Sequence, residues 1–331
     1  MDELLEISGP EELRCQVLSA HVQPLAADVR RKHAPATHYA VRREGGLAGR
    51  CSIWAEGTPA INGEPVGVVG HYAAVDAEAG TRLLRHATQQ LRERGLSLAV
   101  GPMDGNTWRR YRLVTRRGDE PPFFLEPVNP DDWPDHFMAA GFQPLARYFS
   151  RLNNDLAVVD PRVPAALARL ADDGVVTRPI DMNNFDAELR RVHALSLAAF
   201  ADNFLYTPVS EQDFLDMYQP MRAHVRPELV LLAEKYGTLI GFMLGLPDLA
   251  QARRGGPIDT VIAKSIAVRP GRTGAGLGSV LIDQFQQAAR GLGYRRVVHA
   301  LMHEGNRSRQ MVARFGHPMR EYTLFARTTD G

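Results

Sequence analysis

One stretch of the sequence decides the fold of this chain: Ser265-Ile266-Ala267-Val268-Arg269-Pro270-Gly271-Arg272-Thr273-Gly274-Ala275-Gly276-Leu277-Gly278. A β-branched apolar strand ends at Pro270, because proline cannot continue the hydrogen-bond ladder. Four glycines follow within eight residues, and then an amphipathic helix begins. The apolar residues of this helix share one face: Leu277, Val280, Leu281, Phe285, Ala288 and Leu292. The glycines let the backbone come close and the helix dipole favours negative charge, so the stretch predicts a phosphate or pyrophosphate site.

Two common phosphate motifs do not fit this turn. A P-loop needs Gly-Lys-Ser/Thr at the start of the helix, and no lysine stands here. A Rossmann fingerprint follows the first strand of its fold, whereas Gly274, Gly276 and Gly278 follow a late strand. The alternative, that the glycines only form a tight turn, leaves unexplained why so many are present.

The segment 268–278 resembles the acyl-CoA motif of the GNAT superfamily of N-acyltransferases, V-x-P-x-x-(R/Q)-G-x-G-(I/L)-G before a helix. One position departs from the motif, because Thr273 stands where the family has Arg or Gln, and Arg272 precedes it. The resemblance implies acetyl-CoA or another acyl-CoA as co-substrate. It also implies that backbone amides bind the pyrophosphate, that the preceding strand pairs with the pantetheine arm, and that Arg272 reaches a phosphate. The implied binding residues are Ile266, Ala267, Val268, Arg272, Thr273, Gly274, Ala275, Gly276, Leu277, Gly278 and Ser279.

A second landmark of the family follows the next strand. The resemblance places Asn306 beside the pantetheine, at the start of the following helix. The family usually has a tyrosine seven residues later that protonates the leaving thiolate, but this chain has Ala313 there and Val312 before it. The usual general acid is therefore absent from the sequence.

Three other side chains are candidates for acid–base catalysis. Tyr322 belongs to the last strand, which lies beside the acyl pocket in the family; its alternative is a tyrosine packed on the sheet. Lys264 precedes Ile266 by two residues and is expected either to act as a base of lowered pKa or to bind an acidic substrate group; its alternative is to face solvent. Glu304 follows the fifth strand, and its alternative is a surface position.

The acceptor is predicted to bind near Phe204 and Tyr206, because the family places this segment at the acceptor site. The alternative is that both rings only fix the loop. His299 and His303 are expected on one face of a strand by their spacing. No third ligand is near them in sequence, so no metal is predicted.

Both halves of the chain show the same predicted order of hairpin, strand, helix, strand, short helix and strand. We therefore predict an α/β fold with an α+β mixed sheet, built from two GNAT-like domains with the acyl-CoA site in the C-terminal one. The predicted boundaries are residues 1–155, a linker over 156–174, and 175–331. In the first half, predicted helices cover residues 10–17, 76–95 and 134–140, and predicted strands cover 38–43, 47–55, 67–75, 96–100 and 147–152. In the second half, predicted helices cover residues 184–200, 210–221, 276–291 and 307–315, and predicted strands cover 229–234, 239–246, 260–268, 297–302 and 321–327.

The first half lacks the glycine-rich turn. The corresponding segment, residues 75–81, has one glycine beside Asp76 and Glu78, and these carboxylates repel a pyrophosphate. The chain resembles tandem GNAT proteins with a degenerate N-terminal copy. The loops 101–111 and 123–130 are rich in aromatic and polar residues, which is typical either of binding loops or of loops that cover a sheet.

The composition narrows the partners. Among 331 residues, 39 Lys and Arg nearly balance 38 Asp and Glu, for a net charge of +1, so nucleic acid is not expected as a partner. The two cysteines, Cys15 and Cys51, do not form a disulfide or zinc pattern. No secretory signal and no run of about 18 apolar residues is present. We therefore predict a cytoplasmic protein without a membrane span.

The predicted function is transfer of an acetyl or other acyl group from acyl-CoA to a primary amine of a small molecule or a protein. Two alternatives stay open: a long-chain lipid N-acyltransferase, favoured by a wide apolar tunnel near Phe204 and Met243, and a non-catalytic acyl-CoA sensor, permitted by the missing tyrosine. The sequence does not identify the acceptor or the oligomeric state.

Overall fold

The structure is a computed structural model that describes residues 2–7, 16–34, 36–44, 46–271 and 274–330. The first half contains β1 (Glu3–Ile7), β2 (Gln16–Val17), α1 (Ala27–Lys32), β3 (Thr37–Arg43), β4 (Gly46–Trp54), β5 (Ala60–Ile61), β6 (Glu64–Pro65), β7 (Gly67–Ala74), α2 (Ala77–Glu93), β8 (Leu98–Gly101), β9 (Leu113–Arg116), α3 (Trp133–Ala139) and β10 (Gln143–Asn153). The second half contains α4 (Val163–Asp172), β11 (Val175–Pro179), α5 (Phe185–Ala199), α6 (Glu211–Tyr218), β12 (Val230–Lys235), β13 (Thr238–Pro247), α7 (Leu249–Arg253), β14 (Thr260–Val268), α8 (Leu277–Gly291), β15 (Arg296–His303), α9 (Arg307–Met311) and β16 (His317–Thr328).

In the described residues, fourteen strands form one mixed sheet, which confirms the predicted fold class. The order of the strands is β1-β3-β4-β7-β8-β16-β10-β15-β14-β13-β12-β11, with β2 beside β4 and β9 beside β16. The pairs β7–β8 and β14–β15 are parallel, and the neighbouring hairpins in each half are antiparallel. The two halves therefore repeat one strand arrangement, as the order of elements predicted.

Most predicted elements are confirmed within a few residues, since their patterns are strongly periodic. The predicted helix 76–95 is α2, whose N-cap residue Asp76 accepts a hydrogen bond from the Ala79 amide. The predicted helix 307–315 is shorter, because α9 ends at Met311. Most of the predicted helix 10–17 lies outside the described residues, and its last two residues form strand β2 instead. The short strands β1, β9 and β11 were not predicted.

The centre of the sheet joins the two halves by an exchange of strands. β16, the last strand of the chain, pairs with β8 of the first half, and β10 of the first half pairs with β15. β10 and β16 pair with each other, and Tyr148 stands opposite Tyr322. Each half thus contributes a strand that pairs with a strand of the other half. The boundaries predicted for the two domains stay a prediction.

Helices cover the second half of the sheet on both faces. On one face α8 contributes Leu277, Leu281 and Phe285, which pack against Met243 of β13. On the other face α5 and α6 pack against Phe242 of the same strand. The predicted linker is part of this core, because Val163 and Leu170 of α4 belong to the cluster around α8.

Candidate active site

The predicted phosphate cradle lies at the start of α8. Gly276 is the N-cap residue and adopts a left-handed conformation with φ +82°. A Cβ atom there would lie 3.2 Å from Cβ of Ala166 and 3.3 Å from Nη2 of Arg169. Only glycine fits this conformation without strain, and it has no side chain that could cap the helix. The first-turn amides, which lack partners in any helix, therefore face an exposed turn formed by Ala275 and Gly276.

Other predicted cofactor residues support this turn. Gly274 and Gly278 lie in close contact with their neighbours, since a Cβ atom at Gly274 would meet Val268 at 2.5 Å and one at Gly278 would meet Met311 at 3.0 Å. Leu277 is buried in the core, so it can contribute only its backbone to a ligand, and Ser279 is half-buried. Arg272 and Thr273 lie outside the described residues, so their predicted phosphate contacts remain predictions.

A cation that the sequence analysis missed stands beside the cradle. Arg169 of α4 is exposed, and one of its guanidinium nitrogens donates a hydrogen bond to the carbonyl of Ala275. This residue belongs to the segment that was predicted to be a linker, and no local pattern connects it with a turn more than one hundred residues away. Its charge complements a phosphate at this position.

The strand before the cradle has one free edge. β14 pairs in parallel with β15 only from Thr260 to Ala263. Beyond this point Ile266, Ala267 and Val268 pair with β13 on one side and, among the described residues, have no partner strand on the other. This divergence leaves backbone groups for an added extended ligand, which is the geometry that the resemblance implies for the pantetheine arm.

Lys264 is the extra residue of a β-bulge where the two strands begin to diverge. Ser265 pairs with Leu244 and Ala263 pairs with Gly245, so Lys264 has no direct counterpart on β13. A bulge shifts the alternation of side chains, so Ala263 before it and Ile266 after it both face α8. Lys264 is half-buried, and burial lowers its pKa, with the charge of Arg112 as the second cause.

The other two candidate catalytic residues occupy different environments. Tyr322 is fully buried, donates a hydrogen bond to Glu126, and lies 3.0 Å from the Ser150 hydroxyl. Burial and Glu126 raise the pKa of Tyr322 far above its usual range. Glu304 is exposed, and its carboxylate accepts a hydrogen bond of 3.0 Å from the Arg147 amide.

Apolar residues occupy the position at which the family usually has a tyrosine. Val312 is buried in a cluster with Phe315 and Met302, and Ala313 offers no proton. Asn306 is exposed and caps α9, because its side chain accepts a hydrogen bond of 3.3 Å from the Ser308 amide. Asn306 thus stands at the start of the helix after β15, and its contact with the pantetheine stays a prediction.

The predicted acceptor segment packs against a loop from the first half. The ring of Phe204 stacks on His303 at 5.3 Å, and the ring of Tyr206 lies 6.0 Å from that of Trp108. The indole of Trp108 donates a hydrogen bond of 2.8 Å to the Thr207 carbonyl. The Tyr206 hydroxyl is buried without a hydrogen-bond partner among the described residues. The loop 101–111, singled out for its aromatic and polar residues, thus contacts the predicted acceptor segment through Trp108.

Next to the loop 101–111, an apolar pocket lies between the sheet and helices α5 and α6. Its lining includes Trp108, Phe200, Phe242 and Leu244, and it reaches Ser265 of β14. The free space measures about 40 Å³, which is room for about one water molecule. Met243, predicted to line such a tunnel, faces α8 instead, because neighbouring residues of a strand point to opposite faces.

The two histidines of β15 do not share a face, so this prediction was wrong. Between His299 and His303 the strand has one residue more than the facing part of β10, and Leu301 there has φ +58°. His299 consequently stacks near Phe315, whereas His303 contacts Phe204. Among the described residues no group of three or more His, Cys, Asp or Glu side chains is arranged to bind a metal ion.

The corresponding helix start in the first half is closed. Asp76 caps α2 and forms an ion pair with Arg43. A Cβ atom at Gly80 would lie 2.2 Å from the Tyr72 hydroxyl, so this turn has no space for a ligand near the glycine. At the start of α8 no side chain of the N-cap residue accepts from the first-turn amides. At the start of α2, in contrast, Asp76 accepts a hydrogen bond from the Ala79 amide.

Comparisons with known proteins agree with this geometry. The sequence profile of the acetyltransferase (GNAT) family matches residues 191–317. A bacterial ceramide synthase of Caulobacter vibrioides is 28% identical over 190 residues, which cover 55% of this chain and 49% of that protein. The chain spans about half the length of the curated relatives it matches.

Two solved structures share the fold over the whole chain. A probable N-acyltransferase of Enterococcus faecalis superposes with a TM-score of 0.59 at 10% identity, covering 100% of this chain and 73% of the other. A tandem GNAT protein from the clavulanic acid biosynthesis pathway superposes with a TM-score of 0.51 at 13% identity, covering 99% of both chains. The fold is thus of mixed α/β type, with two GNAT-like halves. Over residues 191–317 the chain is similar to the acetyltransferase (GNAT) family.

Among the described residues, no helix has both the length and the apolar character that are needed to cross a bilayer.

Proposed function

We propose that this protein transfers an acyl group from acyl-CoA to a primary amine. The observation that carries the proposal is the exposed, uncapped start of α8 at Gly276 next to the free edge of β14. The first feature suits the pyrophosphate of CoA, and the second suits the extended pantetheine arm. Arg169 supplies a positive charge at the same turn.

In the proposed reaction the acceptor nitrogen attacks the thioester carbonyl carbon. One C–N bond forms and the C–S bond breaks, and the proton lost by the nitrogen ends on the sulfur of CoA. A backbone amide near Val268, on the part of β14 that no longer pairs with β15, polarises the carbonyl. The divergence of the two strands holds the donor and the acceptor side by side, and this proximity supplies much of the rate enhancement.

Lys264 is the best-placed candidate for the base. It stands at the bulge beside the free edge of β14, and its lowered pKa favours the neutral amine that accepts a proton. Tyr322 and Glu304 remain candidates with less support. The Tyr322 hydroxyl already donates to Glu126, and Glu304 lies on the surface at the end of β15.

A long-chain lipid N-acyltransferase is the second candidate function. The pocket beside Ser265 has apolar or aromatic walls apart from Ser196 and Ser265, and one relative of this chain is named a bacterial ceramide synthase. A long acyl chain would fit only if α5 and α6 moved away from the sheet, since the free space is about 40 Å³.

Calorimetric titration tests the cradle directly. We expect acetyl-CoA to bind the wild-type protein and Gly276→Asp to lose at least about 100-fold in affinity, because the variant places a carboxylate among the helix amides. Gly293→Asp is the matched control: Gly293 has φ +88°, a Cβ atom there would meet nothing within 4 Å, and the residue lies beyond the far end of α8. This control imposes similar backbone strain and should bind acetyl-CoA like the wild type.

The outcomes separate the candidate functions. Tighter binding of palmitoyl-CoA than of acetyl-CoA would favour the lipid enzyme, and acylation of any amine above background would exclude a sensor. If neither ester binds, or if Gly276→Asp binds as well as the wild type, the proposed cofactor site is wrong.

A further inference from the structure

Arg112 is a buried cation that has no anionic partner in the described part of the chain. Arg112 is only 6% exposed to solvent. No carboxylate of the described residues lies within 4.0 Å of its guanidinium. Such an unpaired charge is costly in a protein interior. The other buried arginine nearby, Arg320, forms an ion pair of 2.8 Å with Glu126. The contrast shows that the described fold supplies a carboxylate to one of the two arginines only.

Aromatic rings hold the guanidinium of Arg112 in place. It lies 3.9 Å from the ring centroid of Tyr111 and 4.2 Å from that of Tyr148. Its Nη1 donates a hydrogen bond of 2.8 Å to the Tyr111 hydroxyl. The Nε atom is buried and has no hydrogen-bond partner among the described residues. The edge formed by Nε and Nη2 is thus the part of the guanidinium left for a ligand, and this edge binds two oxygens of one anion.

The guanidinium lies beside the end of β15. Tyr148, which it contacts, packs against His303 at 5.1 Å at the end of β15. The charge of Arg112 lowers the pKa of Lys264 on β14 and of His303 on β15, in both cases after the larger effect of burial. Although Arg112 belongs to the first half of the chain, these contacts connect it with the predicted acceptor segment, because His303 also stacks on Phe204. No described carboxylate lies within 4.0 Å of Lys264 either.

We infer that Arg112 binds an oxyanion carried by the acceptor next to its reactive amine. The inference rests on the proposed transfer to an amine and narrows the class of acceptor. A carboxylate matches the two parallel donors of the free guanidinium edge, and a phosphate offers the same pair of oxygens. The aromatic rings exclude water around the contact, which strengthens it.

Matched acceptors test the inference. Serine and phosphoethanolamine each differ from ethanolamine by one anionic group, and N-acylation of all three is measured with the acyl-CoA that binds best. We expect one anionic acceptor to exceed ethanolamine in kcat/KM by at least about tenfold, and Arg112→Gln to remove this preference. Arg112→Lys should restore only part of it, because an ammonium lacks the paired donors. The preferred acceptor then identifies the anion: a preference for serine indicates a carboxylate, and a preference for phosphoethanolamine indicates a phosphate.

Controls keep this result apart from a folding defect and from failure of the proposed function. Arg110→Gln changes an exposed neighbour and should keep the wild-type preference, and every variant should bind acyl-CoA like the wild type. If no amine is acylated, calorimetry with N-acetylserine, N-acetylphosphoethanolamine and N-acetylethanolamine in the presence of CoA decides. Binding of an anionic compound that needs Arg112 would support the site. Equal kcat/KM or equal affinity for the charged and uncharged compounds would overturn the inference. A preference for an anionic compound that persists in Arg112→Gln would also overturn it.

Discussion

At the residue scale, Lys264 has a structural role in the sheet and a proposed chemical role as the base. As the extra residue of the β14 bulge, it reverses which side chains face α8 just before the strand edge becomes free. The same position keeps its amine half-buried beside the opening. A lysine with a lowered pKa is a better base at neutral pH than an exposed one. The alternative that Lys264 simply faces solvent is therefore less consistent with its surroundings.

Replacing Lys264 by glutamine should lower kcat by about 10²- to 10⁴-fold if it is the base. The protonated lysine cannot accept a proton, so wild-type kcat should rise with pH and level off above the lowered pKa of Lys264. Lys264→Gln should lose this rising limb. An aromatic amine as acceptor avoids confusion with titration of the substrate, because it stays neutral over the whole range.

The comparison variants are Tyr322→Phe and Glu304→Gln, which remove the other two candidate groups. A rising limb that persists in Lys264→Gln and disappears in one of these two would transfer the role to that residue. Circular dichroism of each variant checks that the fold is retained.

At the element scale, the packing of α8 on β13 depends on a glycine. A Cβ atom at Gly245 would lie 2.0 Å from Cε2 of Phe285 and 3.1 Å from the Leu229 carbonyl. Phe285 is fully buried and cannot move aside easily. We expect Gly245→Ala to lower the free energy of unfolding by about 1–3 kcal/mol, the usual cost of overpacking a core. Urea denaturation with an unchanged m-value measures this loss.

Gly291→Ala is the matched control on the same helix. Gly291 is the last residue of α8, and a Cβ atom there would meet nothing within 4 Å. Alanine at this position should leave stability unchanged or raise it by up to about 1 kcal/mol, because it reduces the freedom of the unfolded chain. Equal midpoints for the two variants would contradict the packing of α8 against β13.

At the scale of the whole molecule, the exchange of β10 and β16 makes the two halves interdependent. Residues 156–331 alone lack β10, so the edge of β15 is left unpaired and Arg112 and Tyr148 are lost. We predict that this fragment is aggregated or unfolded by size-exclusion chromatography and does not bind acyl-CoA. Unpaired strand edges promote association with other chains.

Co-expression of residues 1–155 with 156–331 provides the control. It should restore a soluble complex that binds acyl-CoA, because β10 returns to its place between β15 and β16. A monomeric 156–331 fragment with wild-type affinity would show instead that the second half is an independent domain, as the predicted boundaries imply.

The sequence by itself determined the local units of this protein. Proline and glycine positions mark the strand, turn and helix around 265–278, and alternating apolar residues mark the hairpins, because these signals lie within a few neighbouring residues. They suffice for the fold class and for the prediction of a phosphate cradle at Gly276. They also show that the usual tyrosine is absent at Ala313.

Only the tertiary structure decided how these units combine. The exchange of β10 and β16, the approach of Arg169 to the predicted cradle and the contact of Tyr148 with His303 all join segments far apart in the chain. The bulge at Lys264 and the one near Leu301 shift side chains between faces, which a simple alternating pattern cannot reveal. Pairing between distant strands is set by packing of the whole sheet, so it leaves no periodic signal in either segment.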